Sequence, residues 1–166
     1  MNGAVSEELE VNVPASEAWK LYGTLEFARV LETGPAIEKA EVLQGDGGVG
    51  TIIHGRLTGK ARETGFTHGF PFSSFKEKYI TVDNEKRVKE SEMIEGGYLD
   101  LGFSLYRCRV EIIEKSEDWC ITRATVEYEA KEAAADNPSS IIGVKQLVQL
   151  MEGANNYLIN NKNMDD

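Results

Sequence analysis

Between Phe75 and Ala130 the chain passes through four strand-like stretches with almost nothing between them: Phe75–Val82, Arg87–Ile94, Leu99–Ile113 and Trp119–Ala130. The joints are the turn signals Asp83-Asn84, Glu95-Gly96-Gly97 and Ser116-Glu117-Asp118. Links this short leave no room for a crossover, so successive strands have to lie antiparallel. The chain then changes period. After Asp136-Asn137-Pro138-Ser139-Ser140, apolar residues recur at Ile141, Val144, Leu147, Val148, Met151, Ala154 and Leu158, the stripe of one amphipathic helix. From Ser140 to about Asn160 such a helix is on the order of 30 Å long, enough to cross a bent sheet from corner to corner.

The first third supplies the remaining elements. Glu8 to Val13 alternates, with Leu9, Val11 and Val13 on one face of a strand. Ser16 is a candidate cap for a short helix over Glu17–Tyr22, with Gly23 as its stop, and a second short helix is predicted from Glu26 to Glu32. A strand over Ile37–Leu43, the glycine-dense turn Gly45–Gly50 and a strand opening at Thr51 follow. Gly55 to Pro71 has no clear period and reads as a long loop or hairpin end. The sum is an α+β fold in one domain, 1–166: a curved antiparallel sheet wrapped around the last helix.

Several function classes fall away. Asp and Glu total 28 against 18 Lys and Arg, and a net charge of −10 opposes phosphate contacts, so nucleic-acid binding and ribonuclease action are disfavoured. No apolar run has the length of a membrane span and no signal-like N-terminus is present, which points to a soluble cytoplasmic protein. Cys108 and Cys120 belong to no metal-ligand pattern, His54 and His68 have no clustered carboxylates, and no metal is expected. The Gly45–Gly50 segment lacks the Lys and the following helix of a phosphate-binding loop and is read as a turn.

The chemistry-bearing stretch is Phe75-Lys76-Glu77-Lys78-Tyr79. Period two places Phe75, Glu77, Tyr79 and Thr81 on one face. If that face points inward, Glu77 is a carboxyl between two rings, and desolvation raises its pKa towards values useful for proton transfer. If it points outward, Glu77 is solvated or pairs with a lysine. Lys89 shares a face with Arg87, Ser91 and Met93. Such a lysine is ordinarily a surface charge, but inside a cavity it would hold or activate a carbonyl group. Tyr98, Asp100, Ser104, Tyr106, Cys108, Val110 and Ile112 are assigned to one face of the next strand, with Cys108 read as a small hydrophobe because Arg107 and Arg109 face away.

Gly45–Ile52, the Lys76-Glu77-Lys78-Tyr79 run, Val82–Lys89 and above all Met93–Gly102, containing Glu-Gly-Gly-Tyr-Leu-Asp-Leu-Gly, resemble the plant norcoclaurine synthase-like branch of the pathogenesis-related class-ten (Bet v 1-like) family. The resemblance implies a seven-stranded antiparallel sheet gripping a long C-terminal helix, with a large apolar cavity between them. It further implies an amine–aldehyde condensation of Pictet–Spengler type, without metal or organic cofactor. Of the family's four working residues, the glutamate falls on Glu77 and the lysine on Lys89. The tyrosine and aspartate positions are Phe75 and Cys108. The segment from His54 to Ser74 is longer than is usual in the family, and the link from Leu31 to Ala36 is shorter.

The expected site therefore has Lys89 and Glu77 as catalytic residues, with Phe75, Tyr79, Met93, Tyr98, Tyr106, Cys108, Val110 and Met151 lining a pocket for a small aromatic or alkaloid-like molecule. The alternative is a non-catalytic carrier of hydrophobic plant metabolites or hormones. Either would work as a monomer or weak homodimer.

Overall fold

A computed structural model describes residues 2–58, 72–131 and 143–165. Strand β1 (Asn2–Val11) leads into helices α1 (Ala15–Tyr22) and α2 (Glu26–Leu31). Strands β2 (Ile37–Gln44), β3 (Ile52–Leu57), β4 (Ser74–Asp83), β5 (Val88–Gly96), β6 (Phe103–Glu114) and β7 (Cys120–Ala130) follow, and helix α3 (Val144–Asp165) closes the chain. The seven strands form one antiparallel sheet in the order β1-β7-β6-β5-β4-β3-β2, so α1 and α2 carry the chain from one edge to the other. Most of the expected loop, residues 59–71, and the predicted helix start at Ser140 and Ile141 lie outside the described residues. Among the described residues, no helix is long and apolar enough to cross a membrane.

Local details depart from the sequence reading in several places, beginning with β1, which starts at Asn2 rather than Glu8 and ends at Val11, before Val13. Helix α1 starts one residue before Ser16 and is capped by the Pro14 carbonyl, which accepts from the Glu17 and Ala18 N–H groups. Proline's fixed φ holds that carbonyl in place, and Ser16 makes no capping bond. The expected strand from Leu99 is instead a 3-10 turn over Gly97–Leu101, bracketed by Gly96 and Gly97 at φ 68° and 55° and by Gly102 at φ 99°. That backbone reverses direction where side chains other than glycine are strained, so Tyr98 and Asp100 are not strand residues. On β6 a register shift between Phe103 and Leu105 leaves Ser104 exposed and turns Tyr106, Cys108, Val110 and Ile112 inward.

A further departure concerns the β4–β5 pair. Phe75 and Lys76 pair with Gly96 and Glu95, but Glu77 pairs with Met93, so Ile94 is an extra residue on β5. Tyr79 pairs with Ser91 and Thr81 with Glu90, so Ile80 is an extra residue on β4. The two bulges compensate, and only the three residues from Glu77 to Tyr79 run one step out of register. The inner face consequently passes from Tyr79 to Val82, which packs on the core, and Thr81 leaves it.

Helix α3 lies against α1, α2, β1 and β7. Val148, Met151 and Ala154 face a cluster with Leu21, Tyr22, Val11 and Cys120. A buried polar chain fixes its rotation. Tyr22 Oη donates to Asn155 Oδ1 at 2.7 Å, Asn155 Nδ2 donates to Thr122 Oγ1 at 3.1 Å, and Thr122 Oγ1 donates to the Leu9 carbonyl at 3.4 Å. The outer face of the sheet is wet. Arg107 bridges Glu92 and Glu127, and Arg123 bridges Glu8 and Glu111.

Candidate active site

The inner faces of β4, β5 and β6 converge under α2 and α3 on an apolar cavity of about 100 Å³. The strands contribute Phe75, Glu77 and Tyr79 from β4, Lys89, Ser91 and Met93 from β5, and Tyr106, Cys108 and Val110 from β6. The 3-10 turn adds Tyr98, so this residue reaches the site from a different element than its spacing suggested. All of the expected lining residues but one meet here. The exception is Met151, which is fully buried in the core cluster with Tyr22, Ala18 and Val148 and does not line the cavity. Leu147 and Leu150 take its place. The helical stripe was read correctly as apolar, but a stripe of this width covers both a solid core and a cavity, and periodicity does not separate them.

The cavity is narrower than the large chamber the resemblance implies. Aromatic rings occupy one end: Tyr98 and Tyr106 stack 4.1 Å apart at 13°, and Phe72 meets Tyr98 edge-on at 4.7 Å.

Lys89 is the most unusual residue. It is only 4% exposed, and its ammonium has no hydrogen-bond partner among the described residues. Nζ sits instead 4.6 Å from the Tyr79 ring centre and 5.1 Å from that of Phe27, held by two aromatic faces. Burial pulls its pKa down to about 8, and the nearby Glu77 carboxylate opposes that shift. Glu77 moves the other way. Burial raises its pKa above the ordinary carboxylate value, while the Lys89 charge and the Ser91 hydroxyl pull it back. An acid and a base whose pKa values approach each other from opposite sides are suited to exchanging protons near neutrality.

Cys108 stays a thiol, because burial and the neighbouring Glu77 both push its pKa up. Among the described residues no group of His, Cys, Asp or Glu is placed to hold a metal ion. Sequence reasoning missed Phe27, which clamps Lys89 from a six-residue helix whose pattern carries no sign of the lysine 62 positions later.

Comparison with known proteins places this geometry. Residues 1–161 match the pathogenesis-related protein Bet v 1 family. The chain belongs to that family. It is 44% identical to norbelladine synthase of Narcissus pseudonarcissus over 142 residues, covering 84% of this chain and 82% of that protein. It is 33% identical to S-norcoclaurine synthase 1 of Papaver somniferum over 158 residues, covering 93% of this chain but only 64% of the poppy protein's length. The structure of norcoclaurine synthase from Thalictrum flavum in complex with dopamine and hydroxybenzaldehyde superposes with a TM-score of 0.80 at 31% identity, covering 96% of this chain and 88% of that one. The norcoclaurine synthase branch read from the Glu-Gly-Gly-Tyr-Leu-Asp-Leu-Gly stretch is therefore the right neighbourhood for this Bet v 1 family member.

Proposed function

We propose that this Bet v 1 family protein condenses an aromatic amine with an aryl aldehyde in plant alkaloid metabolism, in a Pictet–Spengler-type reaction. The observation that carries the reading is the unpartnered Lys89 ammonium, clamped between Phe27 and Tyr79 in an apolar cavity that also holds Glu77. At neutral pH an ammonium of pKa about 8 is mostly protonated and donates to the aldehyde oxygen. Polarised in this way, the carbonyl carbon accepts the amine, and its oxygen leaves as water with protons supplied at the site. The amine's own ring carbon then attacks the resulting iminium, and the Glu77 carboxylate takes the ring proton, restoring aromaticity. The reaction balances with loss of one water and needs no oxidant. The relatives' names, norbelladine and norcoclaurine synthase, and the dopamine and hydroxybenzaldehyde bound by the Thalictrum enzyme support the substrate class.

One observation favours a second reading. At the positions where the resemblance implies a tyrosine and an aspartate, this chain carries Phe75 and Cys108, both uncharged. A carrier for hydrophobic plant metabolites would keep the cavity without those groups. Turnover of phenethylamines with arylacetaldehydes separates the two. For an enzyme, Lys89→Met and Glu77→Gln each lower kcat/KM by about 100-fold or more. Ligand binding with no product in the wild type, or product formed equally fast by both variants, overturns the condensation reading.

A further inference from the structure

The setting that lets Lys89 donate a proton also makes it, in its other protonation state, a nucleophile. The residue lines the cavity, is buried, and has no hydrogen-bond partner for Nζ among the described residues. The Tyr79 and Phe27 ring faces, 4.6 and 5.1 Å away at their centres, attract a cation but donate no hydrogen bond that would tie up the lone pair of a neutral amine. The titratable groups that line the cavity with it are Glu77 and Tyr79 from β4, Tyr106 and Cys108 from β6 and Tyr98 from the 3-10 turn, while α2 and α3 bring apolar side chains. Burial pushes the three phenols and the thiol up, so they stay neutral, and Glu77 is the acid among these that answers the lysine. A pKa of about 8 leaves roughly a tenth of Lys89 as free amine at pH 7 and about half at pH 8, against under about 1% for an ordinary lysine.

A desolvated amine with a carboxylate at hand is what covalent catalysis through an imine requires. Glu77 is within electrostatic reach of Lys89 and is hydrogen-bonded by the Ser91 hydroxyl, which orients it. From Lys89 set between two rings in the cavity wall, with Glu77 lining the same cavity, we infer a further activity: Lys89 forms an imine with an enolisable aryl ketone or aldehyde, and Glu77 moves a proton on the adjacent carbon. The Nζ lone pair attacks the carbonyl carbon, the oxygen leaves as water with the two hydrogens of the amine, and a C=N bond replaces C=O. With that nitrogen protonated, the Glu77 carboxylate takes a hydrogen from the α-carbon, the C–H electron pair becomes the C=C bond of an enamine, and the nitrogen receives the displaced π pair. Reprotonation of the carbon and hydrolysis return the carbonyl compound and the amine, so the net event is exchange of an α-hydrogen with solvent, and water is the one co-reactant. The inference shares the Lys89–Glu77 pair with the condensation reading but needs no amine substrate. It uses the other half of the lysine's titration: condensation falls as Lys89 loses its proton, whereas imine chemistry rises.

Phenylacetone, offered with no amine present, tests this by two readouts. Borohydride reduction at pH 8 is expected to fix one arylpropyl group per chain, placed on Lys89 by peptide mass mapping. In D2O, proton NMR is expected to show α-hydrogen exchange about tenfold or more above the protein-free rate, rising from pH 7 to 9. Lys89→Met loses both signals, and so does Lys89→Arg, which keeps the charge but forms no imine. Glu77→Gln keeps the adduct and loses exchange by about tenfold or more. An adduct spread over surface lysines, exchange no faster than without protein, exchange that falls between pH 7 and 9, or exchange undiminished in Glu77→Gln would each overturn the assignment. Condensation that persists with adduct and exchange both absent removes this inference alone, and adduct and exchange without condensation remove the Pictet–Spengler reading and leave the imine standing.

Discussion

A lysine held by two ring faces, with the Glu77 carboxylate only partly offsetting its burial, carries a charge that desolvation opposes, and this has a measurable signature. With its pKa near 8, folded Lys89 gives up its proton before the unfolded chain does, at the ordinary value of 10.5. Between those pH values the unfolded state binds more protons, so wild-type stability rises with pH there. The shift corresponds to about 3 kcal/mol at most. Lys89→Met, which has no charge to bury, is therefore more stable than the wild type at pH 7, and the gap closes from pH 8 to 10.5. Urea unfolding of the two proteins at pH 7, 9 and 10 measures it, and a constant gap would contradict a buried ammonium. The same groups set the activity profile. The alkaline limb of kcat/KM falls near pH 8 as Lys89 deprotonates, and the acid limb lies above the ordinary carboxylate range because Glu77 is raised. Cys108 is coupled electrostatically to Glu77, so Cys108→Asp places a second carboxyl beside it and moves the acid limb to higher pH. Combined with Phe75→Tyr it should increase condensation, and no gain would mean that the cavity serves a different reaction.

At the scale of elements, two joints hold the site in place, and each has its own test. The Tyr22–Asn155–Thr122 chain locks α3 in the rotation that presents Leu147 and Leu150 to the cavity. Asn155→Leu removes one hydrogen bond from each of the buried Tyr22 and Thr122 hydroxyls, which keep the Met151 and Leu9 carbonyls as acceptors, and is expected to destabilise by about 1–2 kcal/mol in urea titration. In the 3-10 turn, Gly97→Ala forces a β-carbon onto Met93 Sδ and against Phe75 at a φ of 55°. The cost is about 1–2 kcal/mol for the backbone alone, and the cavity lining shifts with it. Much of this frame was legible beforehand. Alternation and turn residues find all seven strands, because a strand half in water writes its period directly into the sequence, although β1 begins at Asn2, well before the expected Glu8. Lys89 and Glu77 stood out through the family resemblance, whereas alternation alone left their face undecided. What stayed hidden arises from geometry without a period: the 3-10 turn that delivers Tyr98, the bulges, and Phe27 arriving from a short helix. The placement of Met151 was beyond reach for a related reason, since core and cavity demand the same apolar residues.

Over the whole molecule, charge and backbone register set different limits. A net charge of −10 repels itself in the compact state. The ion pairs of Arg107 and Arg123 on the outer sheet face are partly exposed and contribute little against it. Raising sodium chloride from about 20 to 500 mM screens both, and the repulsion is the larger effect. Tm should therefore rise by a few degrees, and a fall would show that the outer-face pairs dominate. The compensating bulges at Ile80 and Ile94 impose another kind of limit. Deleting either residue alone would carry the offset of Glu77–Tyr79 into the flanking strand and exchange inner for outer side chains along it, and only the paired deletion preserves the flanks. Between Glu77 and Lys89, then, this scaffold is open to spelling changes but closed to changes of length. Phe75 and Cys108 fit that grammar as substitutions at fixed places.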